Sequence, residues 1–129
     1  MQKHEGGFSY AEVLVSVAVI SVGVLGFSLN TIGVIRGNLS STNYTVAANL
    51  AQDKLEQLSA RPVLRNVDRC PDSGERGISA SGAAGGIYDR CWTIKDSSLG
   101  AGLKEITVVV RWRDAELRSA TLSTLVFTE

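Results

Sequence analysis

A single glutamate lies in an otherwise apolar stretch near the N-terminus. Between Phe8 and Ile35 the only ionisable side chains are those of Tyr10 and Glu12. A charged side chain at the centre of a lipid-facing helix costs roughly 2.5–3.5 kcal/mol on insertion scales. An ionisable residue in such a stretch is therefore a candidate functional residue that needs a partner of opposite charge. The sequence that surrounds it, from residue 6 to residue 15, is Gly-Gly-Phe-Ser-Tyr-Ala-Glu-Val-Leu-Val.

Cys70 and Cys91 are the other residues with reactive side chains. They could be two buried thiols or part of a metal site, but a metal site needs more ligands and the only histidine is His4. Beside an N-terminus of exported type, a disulfide closing a loop of about twenty residues is favoured. Such a bond would stabilise the fold by roughly 3 kcal/mol. It implies an oxidising compartment, and we expect no metal site and no cofactor.

The remaining polar and aromatic candidates are expected to be structural. Asp53 and Glu56 could be a pair of carboxylates, but no histidine or nucleophile accompanies them, so they are expected on the solvated face of a helix. We therefore expect no catalytic residues and no enzyme activity. We expect Arg61, Arg65 and Arg69 to form a solvated basic surface. Trp92 and Trp112 are expected to pack in the core or at an interface.

Composition divides the chain into an apolar segment and an ordinary soluble domain. The 129 residues carry 13 basic and 13 acidic side chains, so no net charge favours a nucleic-acid partner. Charges are almost absent before Arg36 and evenly scattered after it. The length suits one small domain of about ninety residues plus one long accessory segment.

The apolar segment predicts a membrane-length helix over residues 8–35. About twenty apolar residues cross the roughly 30 Å hydrocarbon core of a bilayer. Residues 13–20 are rich in β-branched side chains, but the apolar run is too long for a buried strand. Gly23, Gly26 and Gly33 make the second half of this helix softer than the first.

From Arg36 to about Ala60 the pattern becomes that of an amphipathic helix, which Pro62 ends. If the two helices are continuous, residues 8–60 form one rod of about 80 Å. The apolar stripe consists of Val46, Ala47, Leu50, Ala51, Leu55 and Leu58, and the polar side of Asn49, Gln52, Asp53, Glu56 and Gln57.

The rest of the chain predicts a small antiparallel sheet. Residues 62–86 contain both prolines, and residues 82–86 read Gly-Ala-Ala-Gly-Gly, which is typical of a loop. The short link at residues 113–116 predicts a hairpin. A three- or four-stranded sheet that covers the apolar stripe of the helix gives an α+β domain. The predicted strands are Ile87 to Ile94, Lys104 to Trp112 and Leu117 to Phe127.

The N-terminal motif resembles that of the type IV pilins. That family has a short leader ending in glycine, then phenylalanine, a glutamate as fifth residue of the mature chain, and an unbroken apolar helix; Gly7, Phe8 and Glu12 match these positions. Residues 9–11, Ser-Tyr-Ala, depart mildly from the usual pattern. The resemblance implies that a prepilin peptidase cuts between Gly7 and Phe8 and methylates the new Phe8 amine. Glu12 would then set assembly register by pairing with such an amine.

The resemblance also implies the fold and the domain boundaries. It implies the type IV pilin fold, a long N-terminal helix with a transmembrane first half, packed on a small antiparallel sheet. Residues 1–7 would be the leader, residues 8–35 the transmembrane and filament-core helix, and residues 36–129 a periplasmic globular domain.

Two later segments, residues 47–58 and 106–114, resemble PilV-type minor pilins, the type IV pilus modification proteins. These imply a subunit that primes pilus assembly and enters the filament or its tip from the inner membrane. Implied partners are the prepilin peptidase, other minor pilins, the major pilin and a tip adhesin.

Three other interpretations of the chain stay open. The related minor pseudopilins of type II secretion, the GspI-like group, share the same features. A membrane-anchored periplasmic binding domain that never assembles would also show the apolar helix, although a plain anchor does not explain Gly7, Phe8 and Glu12. A conventional secretory signal fits worse, because its apolar core is shorter and its leader more basic.

Overall fold

The structure is a computed structural model that describes residue 7 and residues 9–128, the side chains of residues 29 and 30 excepted. It has the α+β fold expected from the sequence, with one long N-terminal helix packed on a small antiparallel sheet. Contacts divide the chain into two compact units, Met1–Leu39 and Ser40–Glu129. The elements, in chain order, are α1 (Tyr10–Ser59), β1 (Val67–Asp68), β2 (Glu75–Ile78), β3 (Tyr88–Asp96), β4 (Leu103–Arg113) and β5 (Leu117–Phe127).

In the first unit, α1 is a lone apolar helix. Every described side chain from Tyr10 to Leu39 is exposed. The helix continues through Gly23, Gly26 and Gly33 without a break. Its N-terminal part is long and apolar enough to cross a membrane. The two predicted helices are thus one element, as expected, and the helix ends at Ser59, within one residue of the predicted end.

In the second unit, the predicted apolar stripe of α1 lies in the core. Ala47, Leu50, Ala51, Leu55 and Leu58 are buried, and Val46 is half-buried against them. The predicted polar residues Asn49, Gln52, Asp53, Glu56 and Gln57 are all exposed. The spacing of three and four residues therefore identified the packed face, because such residues share one side of a helix.

The sheet contains five strands, so the expectation of three or four was too low. Its order is β1-β3-β4-β5, and β2 also pairs with β3. All pairings are antiparallel. The two missed strands lie in the stretch from residue 62 to residue 86: β1 has two residues, and β2 pairs through a register shift. β1 is too short to show an alternating pattern, and the four residues of β2, Glu-Arg-Gly-Ile, do not alternate between apolar and polar side chains.

Strand β4 lies between β3 and β5 and supplies four residues of the core. Ile106, Val108, Val110 and Trp112 are buried, and Thr107, Val109 and Arg111 are half-buried on the opposite face. This is the alternation that the sequence predicted. The β4–β5 hairpin is also confirmed, with Asp114 Oδ1 accepting hydrogen bonds from the backbone N–H groups of Ala115 and Glu116.

Candidate functional site

The first turn of α1 places Glu12 at the start of the apolar segment. The Ser9 carbonyl accepts hydrogen bonds from the backbone N–H groups of Glu12 and Val13, at 2.9 and 3.2 Å, and so begins the helix. Glu12 is the acidic residue of the first turn, where a negative charge is stabilised by the unpaired N–H groups and the helix dipole. Its side chain is exposed, so the carboxylate is open to a partner from outside the helix.

No cation pairs with the Glu12 carboxylate among the described residues. Arg36, the nearest basic residue after it in sequence, lies more than six helical turns further along α1. Among the residues that the structure describes, the Glu12 carboxylate in this apolar segment therefore has no counter-charge.

The four serine and threonine hydroxyl groups of the apolar segment after Glu12 are bonded within the helix itself. Each donates to the carbonyl four residues earlier, at distances between 2.7 and 3.0 Å. Such bonds leave no free hydroxyl hydrogen on these four side chains. The residues concerned are Ser16, Ser21, Ser28 and Thr31.

The predicted cleavage position is only partly described. Gly7 is exposed and lies outside regular secondary structure. Phe8, the predicted new N-terminus and methylation site, lies outside the described residues, as does the rest of the leader. Cleavage between Gly7 and Phe8 and methylation of Phe8 therefore stay predictions.

The predicted disulfide is confirmed. Cys70 and Cys91 are joined, with their Cα atoms 5.1 Å apart, and they close a loop of 21 residues. Cys91 is buried on β3, and Cys70 follows β1. The bond therefore ties the loop that carries β2 to the middle of the sheet.

A buried ionic cluster links α1 to β2 and β3, and sequence analysis missed it. Lys54 Nζ lies 3.0 Å from Glu75 Oε1 and 4.0 Å from the ring centre of Trp92. Arg90 approaches Glu75 Oε2 to 2.6 Å and donates a hydrogen bond to the Leu50 carbonyl at 2.9 Å. Both cationic side chains are at most one tenth exposed. The cluster therefore fixes the helix on the sheet through charge as well as apolar packing.

Glu75 is held in its ionised form by this cluster. Partial burial by itself would raise its pKa, but the hydrogen bonds from Lys54 and Arg90 and the attraction of their charges outweigh burial. The pKa of Glu75 therefore lies below its ordinary value of 4.5. Lys54 shares the helix face of Leu50 and Leu58, at a spacing of four residues, and this was the only sequence signal of its burial.

Both tryptophans pack as the sequence predicted. Trp112 is buried in the core, with the Tyr44 ring edge-on to it at 4.8 Å between ring centres. Trp92 is half-buried beneath Lys54. The predicted basic residues Arg61, Arg65 and Arg69 are all exposed, and they border an open hollow beside Trp92. Their exposure agrees with a solvated surface.

The described residues contain no group of three histidine, cysteine, aspartate or glutamate side chains placed to hold a metal ion. At Glu12, the exposed carboxylate can form an ion pair with a cation from outside the helix. Comparison with protein-family models, with curated proteins and with solved structures found no match to this chain.

Proposed function

We propose that this chain is the precursor of a minor pilin, which is cut after Gly7, anchored in the inner membrane by α1 and built into a type IV pilus. The observation that carries the proposal is the Glu12 carboxylate, which no described cation approaches, in the first turn of an exposed apolar helix that follows the Gly7-Phe8 motif. The α+β fold and the disulfide agree with an exported pilin domain.

Cleavage would supply the charge that Glu12 lacks. A cut between Gly7 and Phe8 creates an α-ammonium group four residues before Glu12, about one helical turn away. In a bundle of such helices, Glu12 can pair with its own amine or with the amine of a neighbouring subunit. A pair between subunits offsets the cost of placing both charges in an apolar environment, and it fixes the axial register of the helices.

Packing of the exposed apolar surface of α1 against other helices would drive assembly together with the pairing of Glu12. In the membrane this surface contacts lipid, and in a filament it packs against the helices of other subunits. The domain of residues 36–129 would lie in the periplasm before assembly and on the filament or at its tip afterwards. The chain would act by interaction, priming the pilus together with other minor pilins and the major pilin, and a tip adhesin is a further partner.

The test is the N-terminal residue and intact mass of the protein taken from its native membrane, with and without the prepilin peptidase. We expect a chain that begins at methylated Phe8 only in the strain that has the peptidase. A chain that begins at Met1 in both strains would contradict the proposal and leave a plain membrane-anchored domain.

Fractionation adds the second half of the test. A pilin is recovered in filaments sheared from the cell surface, whereas an anchored binding domain stays with the membrane. A processed chain that is absent from sheared filaments but crosslinks to secretion-system subunits would instead be a minor pseudopilin of type II secretion.

A further inference from the structure

The outer edge of β5 is a surface that the proposed helix-driven assembly does not use. Among the described residues, β5 pairs with β4 alone. A strand in that position presents unpaired backbone N–H and C=O groups along its free side. Its eleven residues, Leu117–Phe127, make this edge about twice as long as the commonest strands.

This edge lacks the features that normally prevent strand pairing. Edge strands are usually protected by short length, proline, lysine or a bulge. β5 contains no proline and no lysine, and its register with β4 is unbroken over all eleven pairs. Arg118, next to its first residue, is its only charged side chain. Apart from Arg118 near one end, β5 therefore carries none of these protective features.

A hollow of about 240 Å³ lies beside the middle of β5, between this strand and α1. No described residue of β4 lines it, so it opens on the free side of β5. The lining is apolar at Leu55 and Leu122 and polar at Gln52 and Glu56. Every second side chain of an added strand would point toward α1, and one of these would fall over the hollow.

We propose that β5 is a strand-addition site for an extended segment of a different protein. Backbone hydrogen bonds to β5 would supply most of the affinity, and the hollow would supply specificity. The Glu56 carboxylate at the rim, with no basic residue in the lining, favours a side chain with an apolar stem and a positively charged tip. On the other face, the exposed Leu117, Leu125 and Phe127 offer apolar contacts at both ends of the strand.

A second copy of this chain fits the edge less well. In a symmetric antiparallel β5–β5 pair, the two-fold axis is perpendicular to the sheet. That rotation reverses the direction of residues 40–59 of α1, which pack on the same sheet. The two chains would then enter the pair from opposite sides, which does not suit two subunits anchored in one membrane. The choice of a different protein over a second copy thus rests on the proposed anchoring, whereas the strand-addition site itself does not.

The test uses the full chain in detergent micelles and a blocked peptide, Thr-Val-Thr-Val-Thr-Lys-Thr-Val-Thr-Val-Thr, as the probe. Its valines and central lysine lie on one face of the extended peptide. That face matches the side of β5 that faces α1, where the hollow lies. We expect hydrogen exchange of alternate β5 amides to slow by roughly tenfold or more when the peptide is added. No slowing, or slowing only away from β5, would overturn the proposal.

Two matched variants test the hollow. Glu56→Ala removes the acidic rim, whereas Asp53→Ala removes an exposed acid of the same helix that does not line the hollow. We expect Glu56→Ala to weaken binding of the lysine peptide by about threefold, because the proposed ion pair is exposed to solvent. Binding of the matching peptide with a central alanine should not change. Asp53→Ala should change neither peptide. Equal effects of the two variants would overturn the proposed specificity.

The same samples distinguish between a different protein and a second copy of this chain as the occupant of the β5 edge. Protection of β5 that rises with protein concentration in the absence of peptide would show that a second copy takes the edge, and would overturn the choice of a different protein. None of these measurements requires cleavage after Gly7 or entry into a filament. Failure of the strand-addition proposal and failure of the pilin proposal are therefore distinguishable.

Discussion

At the scale of single residues, two glutamates occupy opposite environments. Glu75 lies between two buried cations, Lys54 and Arg90, and satisfies both. Glu12 has an apolar helix around it and no cation among the described residues. The first completes a contact within the domain. The second has no counter-charge among the described residues, and we propose that assembly supplies one.

Replacing Glu75 with glutamine should destabilise the domain by about 2–3 kcal/mol, because Lys54 and Arg90 would then be buried without a counter-charge. Chemical denaturation of the full chain in detergent, followed by tryptophan fluorescence, would measure this. Asp72→Asn is the matched control, since the Asp72–Arg76 pair is exposed on both sides and should contribute little. Equal effects of the two substitutions would contradict a role for burial.

The effect of Glu75→Gln should depend on pH. Because the folded-state pKa of Glu75 lies below its ordinary value of 4.5, its ionised form stabilises the fold fully above that pH. This contribution is lost as the pH falls below 4.5 and through the lowered folded-state pKa. The difference in unfolding free energy between wild type and Glu75→Gln should therefore shrink on acidification. The lowered pKa values of Asp96 and Asp114 occur in both proteins and cancel in this difference.

Replacing Glu12 with alanine should leave leader cleavage intact and reduce incorporation into filaments, because the proposed partner of the Phe8 amine is lost. Immunoblots of sheared filaments and of membranes would measure incorporation and processing separately. Ser16→Ala is a suitable control, since it removes a hydroxyl one turn away that is bonded to the Glu12 carbonyl but keeps the carboxylate. Normal incorporation of Glu12→Ala would count against the pairing.

At the scale of elements, the sequence predicted those helices and strands that have a long repeating pattern of side chains. β4 and β5 were identified within one residue at each end and α1 within two, because each has many residues with one periodicity. β1 and β2 were missed, because their pairing with β3 depends on partners ten or more residues away rather than on a local pattern. The burial of Lys54 and Arg90 was not predicted for the same reason. It depends on Glu75, which no local sequence pattern connects to them. The free edge of β5 could be identified only from the structure, because it depends on the order of the strands in the sheet.

Truncating Leu50 tests the contact between α1 and the sheet. Leu50 is almost fully buried, so Leu50→Ala should cost about 2–5 kcal/mol of unfolding free energy. Leu99→Ala makes the same chemical change at an exposed position and should cost little. Denaturation of both variants of the full chain would give the comparison. A small effect at Leu50 would mean that the helix contributes little to the stability of the domain.

The disulfide should contribute about 3 kcal/mol, as expected for the loop of 21 residues that it closes. Replacing both cysteines with serine, or adding a reductant, should lower the unfolding free energy by about this amount. Thiol titration of protein from oxidising extracts should find no free thiol before reduction. Two free thiols in that extract would contradict the bond.

At the scale of the whole molecule, the chain consists of two units with different requirements. Residues 40–129 contain the core, the ionic cluster and the disulfide. A fragment of residues 40–129 should therefore be soluble and unfold in one cooperative transition in aqueous buffer. The full chain should require detergent or lipid, because its exposed apolar helix segment is long. Circular dichroism and denaturation of the fragment would test this, and a fragment without a cooperative transition would show that the two units depend on each other.

The internally bonded hydroxyls of Ser16, Ser21, Ser28 and Thr31 have a consequence for motion in a bilayer. These four hydroxyls are satisfied, and every described side chain from residue 13 to residue 35 is exposed and uncharged, so none of them gives the proposed membrane anchor a charged side to turn away from lipid. Among the described residues of α1 before Arg36, Glu12 alone carries a charge. Under the proposed anchoring, the rotation of α1 about its own axis would therefore be set by the group that pairs with this carboxylate.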